Sequence, residues 1–373
     1  MTKNQTVNPY EVEGKVDYAK LIKEFGIREL TPEALDYMKE MTGDLHQFLR
    51  RGIFFAYRDL KKILDDHKKG NKFFLYTGCG PSGPIHLGHY TIWEFTKWLQ
   101  EKFGVELWFQ FTDDEKYLYK NKTWEEIQEW TYQNMLDVIA IGFDPKKTHF
   151  LIDTQHAGIM YPEAVKVAKK ITFNSIKSAF GFNDSNNIGS IFYTAMQTVP
   201  IFLPNVLSGK NENCLIPLAI DQDVHFRLSR DVVEKLGHKK PAIIHGKFLT
   251  PLTGPEGKMS STTSETAILM TDTPEEVKRK INKYAFSGGK DTVEEHRKHG
   301  GNVEIDVSCQ WLKYFIESDA ELNEIYKKYE KGELLSGEVK NILIHEINKV
   351  LAKHQKRRKE APKLLDEFIY KVK

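Results

Sequence analysis

Residues 70–250 alternate strand-like and helix-like segments, and this alternation limits the possible folds more than any other property of the chain. Short apolar or aromatic runs at Phe73–Thr77, Glu106–Thr112, His149–Ile152, Leu215–Ala219 and Ala242–His245 read as strands. Amphipathic stretches with helix punctuation lie between them. Thr123 to Glu126 is a capping box, and the helix it opens ends near Gly142, with Pro145 just beyond. Strands separated by helices build a parallel sheet covered on both faces, so the expected fold is α/β, a Rossmann-like doubly wound parallel sheet.

The strand signal fades after residue 271. Thr273-Pro274-Glu275-Glu276 combines an N-cap, a proline at the first helical position and a glutamate at the third, so a helix begins there. Val339, Leu343, Ile347, Val350, Leu351 and His354 then share one face of a later helix. Three parts are expected. Residues 1–69 are a mostly helical N-terminal segment, with a helix start at Thr31-Pro32-Glu33. Residues 70–271 are the sheet domain, and 272–373 an all-α C-terminal domain whose last helix is free to pack back on the sheet domain.

Composition narrows the class less. Of 373 residues 40% are apolar, enough for a sizeable core, and 54 Lys and Arg nearly balance 52 Asp and Glu, so net charge selects no partner. Residues 331–373 hold eleven basic against six acidic residues; the densest run, Lys356 to Lys359, reads as a solvated helix face. Cys79, Cys214 and Cys309 are far apart and form no CxxC pair, which argues against a disulfide framework or zinc site and for a reducing compartment. The N-terminus lacks an apolar signal core, and no stretch approaches the ~18 apolar residues of a membrane span. A cytoplasmic protein without a membrane partner is expected.

In an open α/β sheet, ligands bind beyond the carboxyl ends of the strands. Three informative stretches are expected there. The first is the Gly-rich turn Gly78 to Gly83, followed by His86 and His89 at the start of a helix, where unpaired backbone N–H groups and the helix dipole favour an anion. The second is Gln110-Phe111-Thr112-Asp113-Asp114-Glu115, an apolar strand that turns acidic; Asp113 reads as a complement to the helix dipole and Glu115 as the pocket candidate. The third is Ala219-Ile220-Asp221-Gln222-Asp223. Gln110 and Gln197 sit in apolar segments, where a buried amide requires partners. Lys258-Met259-Ser260-Ser261-Thr262 adds a lysine and hydroxyls from a polar loop. Together they describe a nucleotide gripped at its phosphates from two sides. The histidines lack the companions a protein-bound metal needs.

His86-Leu87-Gly88-His89 and Lys258-Met259-Ser260-Ser261-Thr262, about 170 residues apart, resemble the two signature elements of the class I aminoacyl-tRNA synthetases. The resemblance sharpens to the tryptophan-specific branch of eukaryotic and archaeal type on Phe54-Phe55-Ala56-Tyr57-Arg58-Asp59, Leu75-Tyr76-Thr77-Gly78, Thr112-Asp113-Asp114-Glu115-Lys116-Tyr117, Ala219 to Asp223 and Ala285-Phe286-Ser287-Gly288-Gly289-Lys290-Asp291-Thr292. It implies a tryptophan–tRNA ligase, which activates tryptophan with ATP and passes it to tRNA(Trp). It further implies that His86, His89, Lys258, Ser260 and Ser261 act on the phosphates, and that Thr77, Gly78, Gly80, Ser82, Gly88, Asp221 and Met259 hold ATP. Tyr76, Gln110, Glu115, Gln197 and Gln222 would hold tryptophan, and Phe286, Lys290 and Asp291 would meet the tRNA. Mg²⁺ would accompany the nucleotide, and the family is homodimeric. Two departures stand out: Cys79 occupies a position where eukaryotic relatives typically carry arginine, and the loop ends Ser261-Thr262 without a second lysine. The sister enzyme specific for tyrosine, and a non-catalytic paralogue that binds nucleotide or tRNA, remain alternatives on these residues.

Overall fold

The structure, a computed structural model, describes residues 16–254 and 265–372, together with two short antiparallel strands, β1 (Thr6–Val7) and β2 (Val12–Glu13). Seven further strands form one sheet: β3 (Arg28–Glu29), β4 (Phe54–Arg58), β5 (Phe73–Cys79), β6 (Leu107–Phe111), β7 (Thr148–Ile152), β8 (Asn213–Ala219) and β9 (Ala242–Gly246). Their order is β3-β4-β9-β8-β5-β6-β7. The five strands from β9 to β7 run parallel, and β4 and β3 add an antiparallel edge. The fold is the expected Rossmann-like α/β sheet with a helical domain behind it, and the five expected strands are its parallel core.

Side chains alternate across a strand, so each one feeds two cores. Leu75, Leu107, Phe109, Phe111 and Phe150 face the Leu87–Phe103 and Trp124–Ile141 helices. Phe74, Tyr76, Trp108, Leu151 and Ile216 face the opposite way, toward the Ala157–Ala168, Ile188–Met196 and Asp223–Lys235 helices. Trp311, Leu343, Ile347 and Leu351 of the C-terminal helices belong to the first of these cores.

One expectation is extended and another needs correction. The mostly helical first 69 residues also give strands to the main sheet: β3 and β4 come from them, and β4 pairs with β9. Phe54 pairs with Gly246 of β9, and the register shifts at Phe55 before Ala56 pairs with His245. The Lys356–Lys359 run is not simply a solvated face. The Ser336–Glu360 helix packs on the Trp124–Ile141 helix, and buried Asp137 receives His354 Nε2 at 3.0 Å and Arg358 Nε at 2.7 Å. Arg357 donates to the Ile141 carbonyl at 2.9 Å, supplying an acceptor-seeking donor to a helix C-terminus. Beyond that helix the chain returns to the sheet, where Tyr370 N–H donates to the Phe150 carbonyl on the outer edge of β7.

Candidate active site

The site begins with a close approach of backbone. At Gly78 in β5, a Cβ would lie 2.6 Å from the Gln110 carbonyl oxygen of neighbouring β6, so only glycine lets the two strand ends meet. The turn that follows delivers His86 as the N-cap of the Leu87–Phe103 helix, with His89 in its first turn. His86 Nδ1 accepts the Gly88 N–H at 3.1 Å, and the His86 N–H donates to His89 Nδ1 at 3.4 Å. The two rings stack with centroids 3.9 Å apart. With each Nδ1 used as an acceptor, each ring carries its hydrogen on Nε2, which is the donor a phosphate needs.

A cavity of about 430 Å³ opens at the carboxyl ends of β5, β6 and β8. Thr77, Gly78, Gly80, Ser82, His86, Gly88 and His89 line it from the turn and helix. Tyr76, Gln110, Glu115 and Gln197 line its inner part, and Asp221 and Gln222 reach it from the end of β8. Every expected ATP or tryptophan residue that the structure describes is therefore in one cavity. Lys258, Met259, Ser260 and Ser261 lie outside the described residues. Phe286, Lys290 and Asp291 are exposed in the connection between the Pro274–Tyr284 and Val293–His299 helices and do not line the cavity.

The inner part carries the polar chemistry. The Tyr76 hydroxyl donates to Gln110 Oε1 at 2.5 Å, and Gln197 Nε2 donates to Tyr76 at 2.7 Å and to Gln110 Oε1 at 3.3 Å. Burial, with Asp153 nearby, drives the Tyr76 hydroxyl far up, so it stays a neutral donor. Glu115 is nearly buried and accepts from Thr112 at 2.6 Å and Lys116 at 2.9 Å. Burial opposes its ionisation, yet the Lys116 ammonium and the Thr112 hydroxyl outweigh burial and hold its carboxyl below the usual range. Burial holds His225, on the same wall, down to about 4. Asp113 is structural, as expected of a helix start: it is fully buried and accepts from Thr154 and Gln128.

Several contributors were not singled out by sequence. Asp153 follows β7 directly at the same edge and accepts both contacts of Gln110 Nε2. Tyr193 lies four residues before Gln197 and donates to its side-chain oxygen; that helical spacing was a usable signal. Lys116 crosses Gly80, where a Cβ would fall on its side chain, so a cation sits against the Gly-rich turn beside Cys79. Burial pushes the Cys79 thiol far up, leaving it uncharged.

The chain is similar to known proteins over nearly its whole length. The sequence profile of the tRNA synthetases class I (W and Y) matches residues 68–352. The tryptophan–tRNA ligase of Saccharolobus solfataricus is 51% identical over 367 residues, covering 98% of this chain and 95% of that one. The crystal structure of Plasmodium falciparum tryptophanyl-tRNA synthetase superposes with a TM-score of 0.90 at 43% identity, over 95% of this chain and 98% of that one. That of the Encephalitozoon cuniculi enzyme bound to tryptophan gives 0.87 at 34% identity, over 95% and 98%.

Proposed function

Because this chain belongs to the class I tRNA synthetases of the W and Y family, we propose that its cavity activates tryptophan with ATP and then transfers it to tRNA(Trp). The observation that carries the amino-acid assignment is Gln110 Oε1, a buried side-chain acceptor in the inner cavity. Indole offers one N–H on a large apolar body, and such an acceptor is what it requires. The long Gln197 contact to that oxygen, 3.3 Å, is the one an indole N–H displaces. The ionised Glu115 carboxylate takes the α-ammonium, while Gln197 and Gln222 hold the amino-acid end of the substrate.

Activation is attack by the tryptophan carboxylate on the α-phosphate of ATP, with pyrophosphate leaving. The nucleophile is already ionised, so no general base is needed; the work is orientation and charge stabilisation. His86 and His89 donate through Nε2, and the Gly-rich turn adds the backbone at Gly80 and the Ser82 hydroxyl, the Ser82 N–H being held by the Gly80 carbonyl. Lys116, held against that turn, adds positive charge beside Cys79. Thr77, Gly88 and Asp221 complete the nucleotide site, with Lys258, Met259, Ser260 and Ser261 closing on the pyrophosphate side. Among the described residues no cluster of three or more His, Cys, Asp or Glu forms a metal cage. Mg²⁺ bound with the nucleotide would neutralise phosphate charge. Phe286, Lys290 and Asp291, exposed on the helical domain, meet the tRNA.

A homodimer is supported by exposed apolar side chains on neighbouring helices, Tyr161 and Val165 beside Ile188, which is 84% exposed. A cytoplasmic setting is supported by three unpaired, buried cysteines. Among the described residues no helix is long and apolar enough to cross a membrane. Tryptophan-dependent exchange between ATP and labelled pyrophosphate tests the proposal. Exchange with tyrosine but not with tryptophan overturns it.

A further inference from the structure

The polar side chains of the inner cavity form one chain of hydrogen bonds whose direction is fixed from a single end. Asp153 is 1% exposed, and a Gln110 side-chain atom lies 2.8 and 2.9 Å from its two oxygens. The one hydrogen this carboxyl group carries is engaged by Asp114, so toward Gln110 both oxygens accept; the atom facing them is the amide nitrogen, and the other corner of Gln110 is its oxygen. Tyr76, 2.5 Å from that oxygen, must then donate its only hydrogen to it. With that hydrogen spent, the Gln197 atom 2.7 Å from the Tyr76 oxygen must be a donor, which is its amide nitrogen. Gln197 therefore turns its oxygen to Tyr193, whose hydroxyl donates. Each member has one consistent orientation, and all follow from the carboxyl group.

The carboxyl group itself is well held. Its residue follows β7, and the Asp153 N–H donates to the Phe111 carbonyl at 3.2 Å, in register with β6. Its partner on the far side is Asp114, to which it is hydrogen-bonded. Burial raises both carboxyls; the Asp114 charge and the shared hydrogen bond push Asp153 up further, while that bond acts the other way on Asp114, so the proton stays on Asp153 in its bond to Asp114 and the Asp153 oxygens remain acceptors toward Gln110. Asp113, also near, is occupied by Thr154 and Gln128.

We propose that Asp153 is the specificity-positioning residue of this site: it holds the Gln110 amide with its oxygen toward the cavity, and so makes the pocket select a ring that carries an N–H donor. The proposal rests on reading the cavity as the tryptophan site. Asparagine at 153 has the same shape but carries two amide hydrogens, one more than Asp114 engages, and so can donate toward residue 110. Gln110 can then flip, and the whole chain can reverse with it, turning a donor toward the indole N–H. The pocket loses its basis for preferring indole without losing volume.

The probe is L-β-(benzothiophen-3-yl)alanine, which replaces the indole N–H by sulfur at nearly constant shape. In amino-acid-dependent pyrophosphate exchange, the ratio of kcat/KM for tryptophan to that for the analogue should be roughly 10-fold or more in the natural protein, because the analogue leaves a buried acceptor unpaired. In Asp153→Asn the ratio should fall toward one, chiefly through tryptophan, with KM for ATP within twofold. The charge-conserving swap D153N/Q110E puts an acceptor-only group at 110 with a donor behind it, and should return most of the discrimination. The swap also decides the matter if D153N alone fails to fold. A general structural role lowers both amino acids together and leaves the ratio unchanged; that result, or a folded swap without restored discrimination, overturns the proposal. If the natural protein shows no exchange with tryptophan, the functional reading falls and this proposal with it; if exchange is present and D153N keeps its ratio, only this proposal falls.

Discussion

Glu115→Gln isolates the electrostatic contribution to substrate binding. The carboxylate is nearly buried, and its two oxygens are met by Thr112 at 2.6 Å and Lys116 at 2.9 Å, each oxygen keeping a second lone pair for a ligand. Its depressed titration means the charge is fully present at neutral pH. Glutamine keeps the volume and one acceptor, but removes the charge and turns an amide N–H₂ toward either Lys116 or Thr112. A hydrogen bond to a charged group contributes about 1.5–3 kcal/mol, and each 1.4 kcal/mol is tenfold, so KM for tryptophan should rise about 10- to 150-fold. KM for ATP should stay within twofold, because the phosphates are met by other groups. Steady-state pyrophosphate exchange measures both. Indole-3-propionate, which has the ring and carboxylate but no ammonium, sharpens the test: as an inhibitor it should bind the variant as well as or better than the natural protein. The reasoning is refuted if the tryptophan KM moves less than threefold, or if indole-3-propionate weakens in parallel.

Other substitutions probe the frame around the site. Lys116→Met should raise KM for ATP about tenfold; it also removes the largest opposition to burial at Glu115 and leaves chiefly the Thr112 hydroxyl, so tryptophan binding should weaken as pH is lowered at a higher pH than in the natural protein. Asp223→Asn removes a buried carboxylate that accepts Arg58 at two oxygens, 3.0 Å each, and His245 at 2.7 Å, and should cost about 3–5 kcal/mol in urea unfolding at pH 7. Burial raises that carboxyl, but His245 and Arg58 outweigh burial and bring it down from 3.8 to about 2. Its contribution, roughly 2–3 kcal/mol, is present above about pH 4 and lost as pH falls through about 2. The acid limb of a stability curve should be correspondingly shallower in Asp223→Asn. Gly78→Ala forces a Cβ to 2.6 Å from the Gln110 carbonyl oxygen, which is backbone and cannot swing away. It should lower stability by about 1–3 kcal/mol and reduce exchange more than a matched Gly→Ala change at exposed Gly337, both read by thermal melts and turnover.

Sequence led to the cavity because topology does part of the work. Once β5, β6 and β8 are read as parallel strands, Gly78, Gln110 and Asp221 must share an edge, whatever the intervening loops do. Residues whose partners lie on the same short segment, such as Thr123 with Glu126 or His86 with Gly88, were equally accessible. Segments apolar on both sides were not: Phe54 to Tyr57 has no period to separate strand from helix, and its pairing with β9 is set by a sequence nearly 190 residues away. The Lys356–Lys359 run fails for a related reason, since the Asp137 that holds Arg358 lies 221 residues earlier in the chain. The most consequential gap lies inside the pocket. A glutamine in an apolar strand announces that it needs partners, and Gln110 did so; composition cannot say which corner of its amide faces the ligand. That corner is decided by Asp153, an acid that in sequence is only the end of a strand. Recognition of one indole hydrogen therefore depends on a carboxyl group the substrate never touches, and the specificity of this site resides in an orientation rather than in a set of lining residues.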